Sequence, residues 1–267
     1  MIEAMDIMKW PLVACLLLPG LLVYLGLHIV EREIIFVDLA LAQVAVLGNC
    51  LAILLGHDAH DWQSYGWSAG FTIVGAAIFT LTRTRDHRVP QEALIGIVYV
   101  VAAALGIVLL SRSAEGNEEL RRTLVGDVLL VRPGEIWKTV ALYAVIAAVH
   151  VVFRRQFLAL SFGRQPPAAA RGWDFLFYVL FGFVVTSFVQ IGGVLLTFSY
   201  LIVPAVCAKY LADSLPGRLS VGWVTATLAS VLGLCGSYRL DLPTGAAIVC
   251  ALGVTLVLSG MIARGRA

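Results

Sequence analysis

The sequence predicts an all-α, polytopic integral membrane helical bundle of eight to nine transmembrane helices, forming a single domain over residues 1–267. Three observations predict it. Hydrophobic residues make up 60% of the 267 positions and charged residues only 13%, against about 25% charged in soluble domains. The charges sit in short gaps between apolar runs. Each run is close to the roughly 20 residues that cross a bilayer core as a helix.

The elements follow in order. The opening MIEAMDIMKW has no basic leader, and no small-residue cleavage site follows its apolar run, so a first span over 11–30 is expected to be retained. Further spans are expected at 34–55, 67–82, 92–110 and 138–153. The next apolar stretch is too long for one crossing. It divides into 173–190 and 192–211 at Gln190-Ile191-Gly192-Gly193, where a polar residue and two glycines favour a turn. One long tilted or broken helix is the alternative, and it lowers the count to eight. The last spans are expected at 219–236 and 243–262. In the long segment after Leu110, TLVGDVLLV is expected to form a short helix lying on the membrane or dipping into it.

The positive-inside rule orients nine spans. With Arg264 and Arg266 in the cytoplasm, Lys209, Arg218, Arg154, Arg155, Arg164, Arg171, Arg83, Arg85, Arg88 and Arg32 also lie there. The N-terminus then lies outside.

Composition also excludes functions. The net charge of +2 is no nucleic-acid signal, because the arginines mark membrane boundaries. Cys15, Cys50, Cys207, Cys235 and Cys250 form no CxxC pair and are expected to pack as small apolar residues. No Walker A sequence, nucleotide-binding glycine loop or clustered catalytic set is present. Energy for active transport must therefore come from an ion gradient or a separate subunit.

A charged group in hydrocarbon is expensive and needs a reason. Asp38, in FVDLALAQVAVLG, either caps its helix or pairs with Arg32 near the interface, or it gives a polar lining to a translocation path. Gln43 follows five positions later, about 140° round the helix, so the two share no narrow face. His28 and His150 are expected at span ends as interfacial residues, and Lys209 is expected to snorkel or meet a partner. The loop GHDAHDWQSYGW offers His57, Asp58, His60 and Asp61. Imidazole and carboxylate suit zinc, manganese or iron, although the first reading of the loop is plain solvated surface, since a local HDxHD cluster matches no closed structural site. Trp62, Tyr65 and Trp67 fit an interfacial aromatic belt. Finally, Ala208–Arg218 forms a charged elbow between two spans. It is either an ordinary loop or a short helix, ended by Pro216-Gly217, that docks into a partner's groove.

Several motifs carry a resemblance. VQIGGVLLTFSYLIVPAVCAKYLADSL, SYRLDLPTGAAIV, EALIGIVYVVAAALGIVLLS, LVGDVLLV and FVDLALAQVAVLG together make the chain, over nearly its whole length, similar to the membrane permease subunits of bacterial metal-ion ABC transporters importing zinc, manganese or iron. The resemblance implies a multi-pass protein of the cytoplasmic membrane that pairs with a second copy of itself. A cytoplasmic ABC ATPase supplies hydrolysis, so the chain is not itself an enzyme and binds no cofactor. An extracytoplasmic metal-binding protein delivers the divalent cation, which is cargo. The ATPase-coupling helix falls on about Cys207–Pro216, and Ala208, Lys209, Tyr210, Leu211, Asp213, Ser214 and Leu215 carry the contact. Many members have an Asp and, four residues later, a His in the second span. Aligned on Phe36 and Gly48, this chain has Leu39 and Gln43 there, with Asp38 displaced by one residue, or about 100° of helix. That departure weakens a zinc-specific site. A permease for a metal chelate or other small solute, or an ion-gradient-driven carrier, are the alternatives.

Overall fold

The computed structural model describes residues 2–57, 61–83, 89–111, 126, 128–163 and 169–265, with side chains from residue 8 onward. The described residues form helices and no strand. In chain order these are α1 (Ile2–Leu17), α2 (Pro19–Arg32), α3 (Val37–Leu54), α4 (Trp62–Thr82), α5 (Gln91–Leu110), a 3-10 turn (Val128–Leu130), α6 (Pro133–Val152), α7 (Arg154–Phe162), α8 (Ala170–Leu211), α9 (Leu215–Leu240) and α10 (Thr244–Arg264). The first span runs over Met8–Arg32 across the α1–α2 junction. Pro19 opens α2, where a residue lacking an amide hydrogen costs no helical bond.

Among the described residues, eight stretches are long and apolar enough to cross a membrane. The sixth, α8, has 42 residues, a length of about 63 Å at 1.5 Å per residue against a core of about 30 Å. It is broken at Gly193 (φ 73°, ψ 171°), inside the Gln190–Gly193 segment where the sequence predicts a turn. Only glycine adopts that backbone conformation cheaply. Each part of α8 is long enough for one crossing. TLVGDVLLV resolves only at its end, as the 3-10 turn with Val128 buried. The rest of that segment, apart from Gly126, lies outside the described residues.

The chain divides into two compact units, neither of them one continuous segment. The first comprises Met1–Glu31, Leu124–Val149 and Phe188–Ala267. Its helices approach closely. A Cβ on Gly26 would overlap the Leu201 carbonyl, and one on Gly126 (φ 63°) would overlap the backbone of Gly192 and Gly193, so the 3-10 segment lies on the α8 break. Close approach through small residues is how helices pack in lipid. Polar side chains also tie the helices together: Tyr200 Oη meets Ser230 Oγ at 2.5 Å in the interior, and the exposed Trp223 donates through Nε1 to the Leu16 carbonyl at 3.3 Å. His28 is buried and edge-on to Tyr24 at 4.7 Å, within the protein and not at the interface as expected. Gly26→Val is expected to destabilise this unit by about 1–3 kcal/mol or more through overpacking, seen as a lowered melting temperature in detergent.

The second unit comprises Arg32–Thr123 and His150–Ser187. Here α3 packs against both α4 and α5. Gly48 on α3 faces the backbone of Trp67, and Gly75 on α4 faces Leu41 and Val44. As a result α3 is 61% buried, whereas α10 of the first unit is 17% buried and presents its apolar side chains outward. The buried face of α4 carries Ser64, Ser68, Thr72 and Thr80. Thr72 and Thr80 bond carbonyls one turn back, at 2.8 and 2.7 Å, which lets them sit in an apolar interior. His150 is also buried, stacked on Phe157 at 4.1 Å, against the expectation of an interfacial position.

The cysteines split in a way the sequence does not predict. Cys15, Cys50 and Cys207 are buried, whereas Cys235 and Cys250 are exposed on the apolar outer surfaces of α9 and α10. In lipid, an apolar residue can face outward as readily as inward, so hydropathy alone does not separate the two groups.

A candidate cation site and a candidate docking elbow

Asp38 lies in the first turn of α3 and is 1% exposed. Neither of its carboxyl oxygens has a hydrogen-bond partner, and only the amides of Asp38 and Leu39 in its own turn come near. Opposite-sign pairing with Arg32, one of the two expectations, does not occur. Arg32 is engaged elsewhere: its Nη1 contacts Asp174 at 3.2 Å, its Nε donates to Ser161 at 2.7 Å, and its guanidinium lies over the Phe177 ring at 4.0 Å. Arg83 contacts the same Asp174 oxygen. Arg32 and Asp174 form a buried pair, with both side chains at most 5% exposed.

A second acid stands beside Asp38. Glu92, in the first turn of α5, accepts from the Phe36 amide through Oε1 at 3.0 Å, and its buried Oε2 has no partner. The Asp38 and Glu92 carboxyls interact electrostatically. Two helix N-termini thus hold two carboxyls at the same end of the α3–α4–α5 group. The partial positive charge of each helix start favours an acid there. Gln43 is buried, at 6% exposure, farther along α3. With about 140° between them, Gln43 and Asp38 point to different sides. The donors gathered here are oxygens, which suit manganese or magnesium better than zinc.

The loop after α3 is only partly described. Asp58 and His60 lie outside the described residues. Asp61 caps α4, accepting from the Trp62 amide at 2.7 Å. Among the described residues, no three His, Cys, Asp or Glu side chains converge as a metal cage would require. Trp62, Tyr65 and Trp67 are exposed, as an aromatic belt requires.

Of the two readings of the elbow, the projecting helix is not the one that forms. α8 continues to Leu211, and α9 starts at Leu215, so Ala212–Ser214 is a three-residue connection and not a projecting helix. Pro216-Gly217 does not end a helix. It lies in the first turn of α9, and Ser214 caps that helix by accepting from the Gly217 amide at 3.3 Å. Ser followed by a proline in the next turn is a start signal, and the sequence carried it. Ala208 is buried, whereas Lys209, Tyr210, Asp213 and Ser214 are exposed. Arg218 donates to the Ala212 carbonyl at 3.0 Å, and Lys209 contacts Glu31 at 3.1 Å. The connection is therefore braced.

Residues 4–263 match the family model described as the ABC 3 transport family. The chain belongs to that family. Among curated relatives, a probable metal transport system membrane protein of Chlamydia pneumoniae is 26% identical over 239 residues, covering 86% of this chain and 80% of that protein. The manganese transport system membrane protein MntC of Listeria innocua is 28% identical over 204 residues, covering 71% of each. Among solved structures, PsaBC from Streptococcus pneumoniae, in complex with Fab, superposes with a TM-score of 0.79. That match spans 97% of this chain and 93% of the other at 24% identity, and it is a likeness of fold. This member of the ABC 3 family is thus a multi-pass, all-helical membrane protein.

Proposed function

We propose that the chain is the permease subunit of an ABC importer for a divalent metal cation, with manganese as the first candidate. The observation that carries this reading is the buried Asp38 of α3, whose carboxyl oxygens lack a hydrogen-bond partner, with Glu92 of α5 bonded two residues away at the Phe36 amide. Buried acids without partners inside a membrane bundle mark ion pathways, and oxygen donors favour a hard cation. Relatives named for manganese transport support the same ion. Gln43 and the loop residues His57, Asp58, His60 and Asp61 are further points of contact along the route.

The permease has no nucleotide-binding motif of its own. A cytoplasmic ABC ATPase docks on the elbow through Lys209, Tyr210, Leu211, Asp213, Ser214 and Leu215, with Ala208 beneath them. Two copies of the chain form the pore in the cytoplasmic membrane, and an external metal-binding protein loads it. Charge placement supports a cytoplasmic elbow, since Lys209 and Arg218 lie on the side where basic residues gather. Hydrolysis drives transport only because the ATPase grips the inward-open and outward-open states with different affinity.

The test is docking. Tyr210→Ala with Asp213→Ala changes exposed side chains and leaves the Ser214 cap in place. Co-purified ATPase is expected to fall about tenfold, the effect of losing one aromatic anchor, while the permease elutes unchanged on size exclusion. Undiminished co-purification would contradict the assignment.

A further inference from the structure

The last two residues of α2 hold two different parts of the molecule. Glu31 lies 3.1 Å from Lys209 Nζ and 3.8 Å from Arg218 Nη1. Those cations bracket the elbow, one at the end of α8 and the other in the first turn of α9. Arg32, the next residue, holds Asp174, Ser161 and the Phe177 ring. Glu31 closes the first compact unit and Arg32 opens the second, and the contacts of each side chain stay within its own unit. One planar peptide bond, which resists twisting, separates the two grips. The helix stops immediately afterwards at Glu33, whose φ is 57°. Four residues later α3 begins and carries Asp38 in its first turn.

We infer that Glu31 is a strut residue: it passes movement of the elbow, through Arg32, to the helices that hold Asp38 and Glu92. The inference rests on the elbow being the ATPase dock. Glu31 touches neither cargo nor nucleotide, so it is a positioning residue. Its pair with Lys209 is about one third exposed on both sides. Such pairs contribute little to folding, so a purely stabilising role would leave transport intact. A mechanical role demands that a carboxylate here stay fastened to both ends of the connection. Two cations on one carboxylate, and three contacts on the adjoining guanidinium, fit that demand.

The experiment uses the full permease with its ATPase in liposomes and Mn²⁺ as the probe, and it measures ions moved per ATP hydrolysed. Glu31→Gln is expected to melt and co-purify with the ATPase as wild type does, and to keep ATP hydrolysis, while ions moved per ATP fall about fivefold or more, the lower end of allosteric coupling. Glu31→Asp is expected to recover much of that ratio. A wild-type ratio in Glu31→Gln overturns the strut, as does a loss that only tracks lost ATPase binding. A wild-type permease that fails to hold the ATPase defeats the docking assignment itself, which is a separate result.

Discussion

Replacing Asp38 by Asn is expected to lower Mn²⁺ uptake by about tenfold or more, equivalent to about 1.4 kcal/mol of lost stabilisation along the path, without lowering the melting temperature. The sign of the stability change is the informative part. Asp38 is 1% exposed and its carboxyl oxygens have no partner. A buried ionisable group with no partner costs folding free energy. Asn keeps the shape and removes the charge, so the bundle should be as stable as before or more so. Loss of uptake with retained or raised stability is what a residue kept for function gives. Glu92→Gln should behave in parallel, because a Gln carbonyl can still accept the Phe36 amide now bonded at 3.0 Å. Uptake at the wild-type level in Asp38→Asn would remove the acid pair from the path. A fall in melting temperature matching the fall in uptake would make Asp38 a folding residue.

Asp174→Ala is expected to have the largest effect on folding, about 3–5 kcal/mol, the usual result of leaving a buried partner charge behind. The reason is local. Arg32 has a side chain 3% exposed and would keep Ser161, the Phe177 face and Tyr178, none of them a counter-charge like Asp174. Arg83, 37% exposed, would lose the same carboxylate but can reach solvent. Arg83→Ala should therefore cost much less, within about 1 kcal/mol, as exposed pairs do. Thermal unfolding of the purified variants in detergent ranks the two. Equal effects would contradict the central place of the Arg32–Asp174 pair.

The sequence makes the membrane architecture legible for a physical reason. A bilayer imposes one length and one composition on every crossing, so apolar runs mark α3, α4, α5, α6, α9 and α10 without knowledge of packing. The break in α8 is equally visible, because a positive φ needs glycine and Gly193 supplies it. The site is less legible. Asp38 stands out as an acid in an apolar run, but its neighbour Glu92 reads as an ordinary helix-start acid until α3 and α5 are packed together. Arg32 and Asp174 lie 142 positions apart, so the nearer Asp38 looks like the natural partner and is not. At the elbow the error was one of direction. Pro216-Gly217 is a stop after a helix and a start before one, and the Ser214 cap decides between them. His28 and His150 mislead in another way, since a polar ring near a span end looks interfacial until aromatic neighbours enclose it.

The central claim is that this chain carries a metal ion across the membrane and borrows its motor. The direct measurement is Mn²⁺ accumulation in liposomes holding the permease, its ATPase and the external binding protein, with and without ATP. Accumulation against a gradient that needs ATP, and that Asp38→Asn lowers by about tenfold or more, is the predicted result. Accumulation that proceeds without ATP or the ATPase, or none for any divalent ion when ATP is being hydrolysed, would contradict it.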